Sequence, residues 1–210
     1  DEIALVGLLE NGERKTLSYA QLHGEVTALA AALRSFDVRP GDRVGGFLPN
    51  IPETIAAMLA TTAIGAVWTS CSPDFGFQGV MDRFGQARPK VLFAANTYLY
   101  NGRYHDCREK VAQLTQAVDG LERVVMIESH PEQRSSIAIR YEHSYTQLLD
   151  RHSDQPVMVF ERFDFDHPLY IMYSSGTTGV PKCIVHGAGG TLIQHLKEHR
   201  LHCDLREGDV

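Results

Sequence analysis

Residues 42–68, DRVGGFLPNIPETIAAMLATTAIGAVW, carry the chain through a strand, a helix and the start of a second strand. Val44 to Leu48 is a short apolar run stopped by Pro49-Asn50, the mark of a buried strand ending in a turn. Pro52 suits the first turn of a helix, where its missing N–H costs nothing, and the spacing places Ile55, Met58, Leu59 and Thr62 on one face. Ala66-Val67-Trp68 then reads as a strand. The uncharged stretch from Thr54 to Pro73 is long enough for a membrane span, but much of it is alanine, Gly65 interrupts it and Thr69, Ser70, Ser72 and Pro73 make its end polar. A buried helix followed by a buried strand is the better reading.

The same alternation extends both ways. Upstream, Ser18-Tyr19-Ala20-Gln21 has the form of a capping box, Leu22, Val26, Leu29, Ala30 and Leu33 recur at helical spacing, and Arg39-Pro40-Gly41-Asp42 supplies a turn. Downstream, Ser72 to Gly76 reads as a turn, Gly79 to Gln86 as a short helix and Lys90 to Ala95 as a strand. A helix with Cys107, Val111, Leu114 and Val118 on one face ends near Gly120, and Arg123 to Ile127 is again strand-like. Strands alternating with amphipathic helices predict a layered α/β fold, a largely parallel sheet flanked by helices. Between Glu128 and Asp166 the signal weakens to a strand at Ser136–Tyr141 and a short helix at Ser144–Asp150, with no linker or repeat to mark a domain boundary.

Composition excludes several classes of function. The 210 residues carry 20 Lys+Arg against 26 Asp+Glu, a net charge of −6, so no basic field draws nucleic acid or an anionic membrane surface. The cysteines, Cys71, Cys107, Cys183 and Cys203, are scattered without zinc spacing and read as the reduced thiols of a cytoplasmic protein. His195 and His199 lie one helical turn apart, but no Glu stands as in H-E-x-x-H, so they read as a solvated helix face and no metal site is assigned. Asp1-Glu2-Ile3 has neither an initiator Met nor the layout of a secretion signal, which suggests that residues upstream have been cut away.

The chemistry concentrates after Pro168. Pro168 to Tyr173 is a strand candidate, and Ser174-Ser175-Gly176-Thr177-Thr178-Gly179-Val180-Pro181-Lys182 follows. Glycines that let several N–H groups turn toward one point, four hydroxyls and a lysine are the parts of a phosphate cradle. The spacing from Gly176 to Lys182 matches a Walker A loop, but Pro181 replaces its second glycine and Cys183 its Mg²⁺-binding hydroxyl, which disfavours a P-loop kinase or ATPase.

Ser174 to Lys182 resembles, without a break, the signature of the adenylate-forming superfamily, the acyl- and aryl-CoA synthetases. Leu48 to Glu53, Gly65 to Gly76, and Ile184-Val185-His186-Gly187 with Gly189-Gly190 resemble acetoacetyl-CoA synthetases within it. The resemblance implies a two-step reaction. Acetoacetate attacks the α-phosphorus of ATP to give acyl-AMP and pyrophosphate, and the thiol of CoA then displaces AMP. It also implies that Ser174, Ser175, Gly176, Thr177, Thr178, Gly179 and Lys182 hold the ATP phosphates, with Lys182 an electrostatic clamp and Mg²⁺ adding neutralisation. Tyr100-Asn101-Gly102-Arg103 lies where acetyl-CoA synthetases carry an Arg-x-Gly-Arg stretch that contacts a CoA phosphate. Gly102 and Arg103 match and Tyr100 departs, so Arg103 is a candidate CoA contact or a solvated arginine. After His186, the helix opened by Gly187-Ala188-Gly189-Gly190 has an N-terminus that could face an anion, the alternative being a histidine that positions that turn. Trp68 and Cys71 read as core or pocket wall.

Family members carry further motifs for adenine, ribose and Mg²⁺, and a C-terminal domain with the catalytic lysine, none of which has a counterpart here. Residues 1–210 are therefore expected to form an incomplete N-terminal AMP-binding domain, inactive alone, whose lysine-bearing domain and main catalytic lysine lie outside the chain. Arg206-Glu207-Gly208-Asp209-Val210 repeats the pattern of Arg39-Pro40-Gly41-Asp42-Arg43-Val44, where a turn opens a strand. Two alternatives stand beside this reading: an acetyl- or propionyl-CoA synthetase-like ligase, and a non-catalytic nucleotide-binding or interaction module.

Overall fold

The chain is described by a computed structural model over residues 2–130, 135–154, 158, 160–174 and 179–209. It opens with an antiparallel hairpin, β1 (Ile3–Leu8) and β2 (Arg14–Ser18), which hands directly into α1 (Tyr19–Ser35). The capping box is present in full. The Gln21 N–H donates to the Ser18 hydroxyl at 3.2 Å and the Ser18 N–H donates to the Gln21 side chain at 2.8 Å, satisfying donors that α1 leaves orphaned. Next come β3 (Arg43–Phe47), α2 (Pro52–Ala63), β4 (Val67–Cys71), α3 (Phe77–Ala87) and β5 (Val91–Ala95). A second hairpin, β6 (Thr97–Tyr100) and β7 (Arg103–Asp106), precedes α4 (Arg108–Ala117), β8 (Arg123–Ile127), β9 (Glu142–Ser144) and α5 (Tyr145–Arg151). The described chain closes with β10 (Pro168–Ser174), β11 (Lys182–Gly187) and α6 (Ala188–Lys197), which runs into a π turn at Glu198–His202.

The main sheet has the order β11-β10-β4-β3-β5-β8-β9, parallel throughout except for β11, which returns antiparallel along β10. Its central strands are buried on both faces, and alternate residues feed two cores. Val91, Phe93, Ala95, Val125 and Ile127 join α1, α2 and α5. Leu92, Ala94, Val124 and Met126 join α3 and α4. This two-sided burial is why β3, β5 and β8 read as continuous apolar runs rather than alternating ones.

Two sequence expectations are corrected. In α2 the face against the sheet is Ala56, Ala57, Ala60 and Thr61, all fully buried, while Ile55, Met58, Leu59 and Thr62 lie half-buried on the flank. Small side chains let the helix approach the sheet closely, and bulk alone misidentifies the contact face. Ser136–Tyr141 is not a strand. The Arg108 guanidinium takes the Ile137 carbonyl at 3.0 and 2.8 Å, and the edge of β8 is paired instead by Glu142, His143 and Ser144.

The repeated turn has the same geometry twice. Asp42 accepts the Arg39 N–H at 3.0 Å and Asp209 accepts the Arg206 N–H at 2.8 Å; Gly41 and Gly208 have φ of +84° and +88°, and Asp37 and Asp204 have φ of +59° and +49°. In each copy the arginine side chain reaches back to the left-handed aspartate, at 3.0 Å in the first and 2.9 Å in the second.

Candidate functional site at the carboxyl edge of the sheet

Six strands, β3, β4, β5, β8, β9 and β10, run parallel, so their carboxyl ends share one edge. The chain leaves β3 for α2 on one face and leaves the neighbouring β5, through the β6–β7 hairpin, for α4 on the other, so the strand order reverses between β3 and β5. In open α/β sheets such a switch point is where ligands bind.

Ser174 ends β10 at this edge and Lys182 begins β11 directly opposite it in the ladder. The strand pair thus brings both ends of the glycine-rich segment together. Ser175, Gly176, Thr177 and Thr178 lie outside the described residues. Gly179 has φ of +95°, a conformation that L side chains rarely adopt. Lys182 is exposed, and no carboxylate among the described residues pairs with it. Its charge is available to an anion at the edge.

The segment is tied to the sheet from the α3 side. Gln86 donates to the Pro181 carbonyl at 2.8 Å. Tyr173, just before Ser174, accepts a hydrogen bond from Thr69 at 2.7 Å, and Thr69 is also 3.0 Å from the Ile171 carbonyl. Burial raises the Tyr173 phenol well above its ordinary range, with the Thr69 hydrogen bond opposing, so the ring is neutral at physiological pH. Burial likewise pushes the Cys71 thiol up to about 12 against the charge of Arg83. Cys71 and Trp68 are both 4% exposed, which makes them core, as the sequence reading has them.

Other candidates fall elsewhere. Arg103 is exposed at the tip of the β6–β7 hairpin beside Asn101 and Gly102, which have φ of +51° and +69°. The hairpin follows β5, three strand spacings from β10 and therefore roughly 14 Å along the edge at about 4.8 Å per strand. Glu10, from the β1–β2 turn, accepts the Gly102 N–H at 2.9 Å, a carboxylate beside the expected phosphate contact that no local pattern places there. Beyond the carboxyl ends of β3, β5 and β8, against the β1–β2 hairpin, a cavity of about 170 Å³ opens, lined by residues including Glu10, Asn50, Tyr98 and Ser129.

The α6 expectation is corrected. Because β11 runs antiparallel, Gly187 pairs with Pro168 at the amino edge, the end of the sheet opposite the glycine-rich segment. The first α6 N–H groups are already used: Ala188 donates to His167 at 2.8 Å and Gly189 to Phe165 at 2.9 Å. That N-terminus does not face an anion at the carboxyl edge, and the exposed His186 pairs with Tyr170 in the ladder.

One cation of the edge escapes sequence reasoning. Arg83 lies against Phe75 and Tyr173, its guanidinium carbon 4.3 and 5.7 Å from the two ring centroids. Helical spacing marks it only as a surface residue of a short helix, because the rings that hold it come from the β4–α3 turn and from β10.

All of residues 1–210 match the model of the AMP-binding enzyme family. The chain belongs to that family. Acetoacetyl-coenzyme A synthetase of Rhizobium meliloti (strain 1021) is 48% identical over 207 residues, covering 96% of this chain and 31% of its own length. Acetoacetyl-CoA synthetase of Macaca fascicularis is 44% identical over 216 residues, covering 100% of this chain and 32% of its own. Among solved structures, acetoacetyl-CoA synthetase from Streptomyces lividans superposes with a TM-score of 0.92 at 46% identity, covering 100% of this chain and 31% of that one. The chain thus spans about a third of the length of these AMP-binding relatives, and the α/β architecture is theirs. No helix among the described residues is long and apolar enough to cross a membrane.

Proposed function

We propose that the 210 residues supply the phosphate-holding edge of an AMP-forming acetoacetate–CoA ligase. The observation that carries this reading is Lys182 opposite Ser174 at the carboxyl edge, unpaired among the described residues, in a chain 44% to 48% identical to two acetoacetyl-CoA synthetases. The carboxylate of acetoacetate attacks the α-phosphorus of ATP, the bond to the β-phosphate breaks, and pyrophosphate leaves. CoA thiol then attacks the acyl carbon and AMP departs. Ser174, Ser175, Gly176, Thr177, Thr178 and Gly179 donate N–H and hydroxyl hydrogens to the polyphosphate while Lys182 offsets the charge that develops on the leaving group. Arg103, far along the edge, is assigned a phosphate of CoA.

The described residues of the segment offer Ser174 and Lys182 but no carboxylate, and among the described residues no group of three His, Cys, Asp or Glu could hold a metal. They do not make a cage for Mg²⁺, which would instead arrive on the phosphates of ATP. The adenine and ribose contacts and the catalytic lysine belong to polypeptide outside these residues, so the 210-residue chain alone does not complete adenylation. The reduced cysteines fit a cytoplasmic enzyme.

The test is ATP–pyrophosphate exchange in a chain of the relatives' full length, driven by acetoacetate, acetate or propionate. Acetoacetate is expected to drive it best, and Lys182→Ala to slow it by about 10²-fold, the scale of losing one charged stabiliser of a leaving group. Equal exchange with acetate, or an unchanged rate in Lys182→Ala, overturns the substrate or the clamp respectively.

A further inference from the structure

Arg83 is a half-buried cation at the carboxyl edge with no counter-charge among the described residues. Phe75 belongs to the β4–α3 turn and Tyr173 stands one residue before Ser174, so the two rings fix the guanidinium between the ends of β4 and β10. Nη1 donates to the Gly79 carbonyl one turn back, at 2.7 Å. Asp82, the adjacent acid on α3, accepts instead from Gln78 at 2.7 Å. The other groups near the guanidinium are neutral, the Cys71 thiol and the Tyr173 phenol both being raised chiefly by burial.

Packing explains the rings but not the charge. A methionine would fill the same space between Phe75 and Tyr173 without leaving an uncompensated cation half out of water. Arginine carries five N–H donors in a planar fork suited to phosphate oxygens, and its hydrogen bond to Gly79 accounts for one of them. Stacking has already fixed the rotamer, so an incoming anion loses little to side-chain ordering. The site is also coupled to the phosphate segment, because Gln86 on the same helix holds the Pro181 carbonyl. Tyr173 pairs with Cys183 and Ser174 with Lys182, so the two cations approach the edge from opposite faces of the sheet.

We propose that Arg83 is a phosphate-binding residue of this edge, contacting a phosphate group of ATP or of CoA from the α3 side. The proposal rests on the reading that the edge holds phosphorylated substrates. Its test is calorimetric titration of the 210-residue chain and its Arg83→Met, Arg83→Lys and Lys182→Ala variants with inorganic pyrophosphate, CoA and pantetheine, alongside the melting temperature of each free chain. Arg83→Met is expected to bind either pyrophosphate or CoA at least about tenfold more weakly, as expected for losing a charged hydrogen bond, with Arg83→Lys intermediate. Pantetheine, which has no phosphate, should bind all four chains alike. Weakened pyrophosphate binding assigns Arg83 to ATP, and weakened CoA binding assigns it to CoA. Wild-type affinity for both ligands in Arg83→Met overturns the proposal, whatever happens to the melting temperature. If Lys182→Ala weakens pyrophosphate binding and Arg83→Met weakens nothing, the Arg83 role alone falls. If the wild-type chain binds neither ligand, the reading of the edge falls and Arg83 falls with it. Should Arg83→Met fail to fold, Arg83→Lys decides, because it keeps the charge and loses the fork: unchanged affinity for both ligands refutes the proposal.

Discussion

Gly46→Ala probes the sheet that carries the site. Gly46 sits in the middle of β3, and the indole of Trp68 on the neighbouring strand lies across it. A Cβ added at Gly46 would stand 2.6 Å from Trp68 Cζ2 and 2.7 Å from Cη2, closer than real contacts allow. The indole has little room to retreat, since Trp68 is 4% exposed and its ring is 6.4 Å from that of Phe93. Overpacking of this kind costs about 1–3 kcal/mol, and at roughly 2–4 °C per kcal/mol for a chain of this size the melting temperature should fall by about 2–12 °C. Trp68→Phe removes both clashing atoms and, by leaving a cavity, should cost about 1–2 kcal/mol, less than full truncation. In the double variant the new methyl enters space that the indole has vacated, so the two costs should not add. Urea denaturation of the wild type, both single variants and the double variant closes the cycle. A coupling of at least about 1 kcal/mol in favour of the double variant is expected. A coupling below about 0.5 kcal/mol would refute the claim that Gly46 is small because Trp68 lies on it.

Two further outcomes follow from titratable groups. Burial raises the Glu25 pKa above the ordinary glutamate value; the hydrogen bond from Tyr145, at 2.8 Å, opposes this and the charge of Glu53 adds to it. The folded state therefore holds the Glu25 proton more tightly than the unfolded state, and the stability this contributes is lost as pH rises through the raised pKa. Glu25→Gln keeps an acceptor for Tyr145 and should gain stability relative to wild type as pH rises from about 4 to about 7. The same difference in melting temperature at both pH values would contradict this. Among the thiols, Cys71 and Cys107 are buried and pushed up to about 12, chiefly by burial, while Cys183 and Cys203 are exposed. An aromatic disulfide reagent at about pH 8 should label Cys183 and Cys203 quickly in the native chain and reach Cys71 and Cys107 only on denaturation. Rapid labelling of all four without denaturant would overturn the burial argument.

The readable parts of the fold were those in which local sequence and tertiary packing agree. The Ser18 capping box, Pro52 at a helix start and the apolar runs of β3, β5 and β8 need no partner to be recognised, and all stand where expected. The misreadings share a different cause, a long-range neighbour deciding what the local pattern leaves open. Ile55 and Leu59 look like the inner face of α2 until the sheet presses against Ala56 and Ala60. Ser136–Tyr141 looks extended until Arg108, far back in the chain, claims the Ile137 carbonyl. The two hairpins escaped because Ile3–Leu8 pairs only with Arg14–Ser18 and Thr97–Tyr100 only with Arg103–Asp106, outside the main sheet. At the site the same division holds. Composition points to the proposed phosphate role of Ser174 to Lys182 because glycine, hydroxyl and lysine are themselves the chemistry. Arg83 is an ordinary helix residue by composition, and its proposed role comes into view only when β10 places Tyr173 against it and the β4–α3 turn supplies Phe75. A charged side chain gains functional meaning from what fails to neutralise it, and that can be read only once the neighbours are in place.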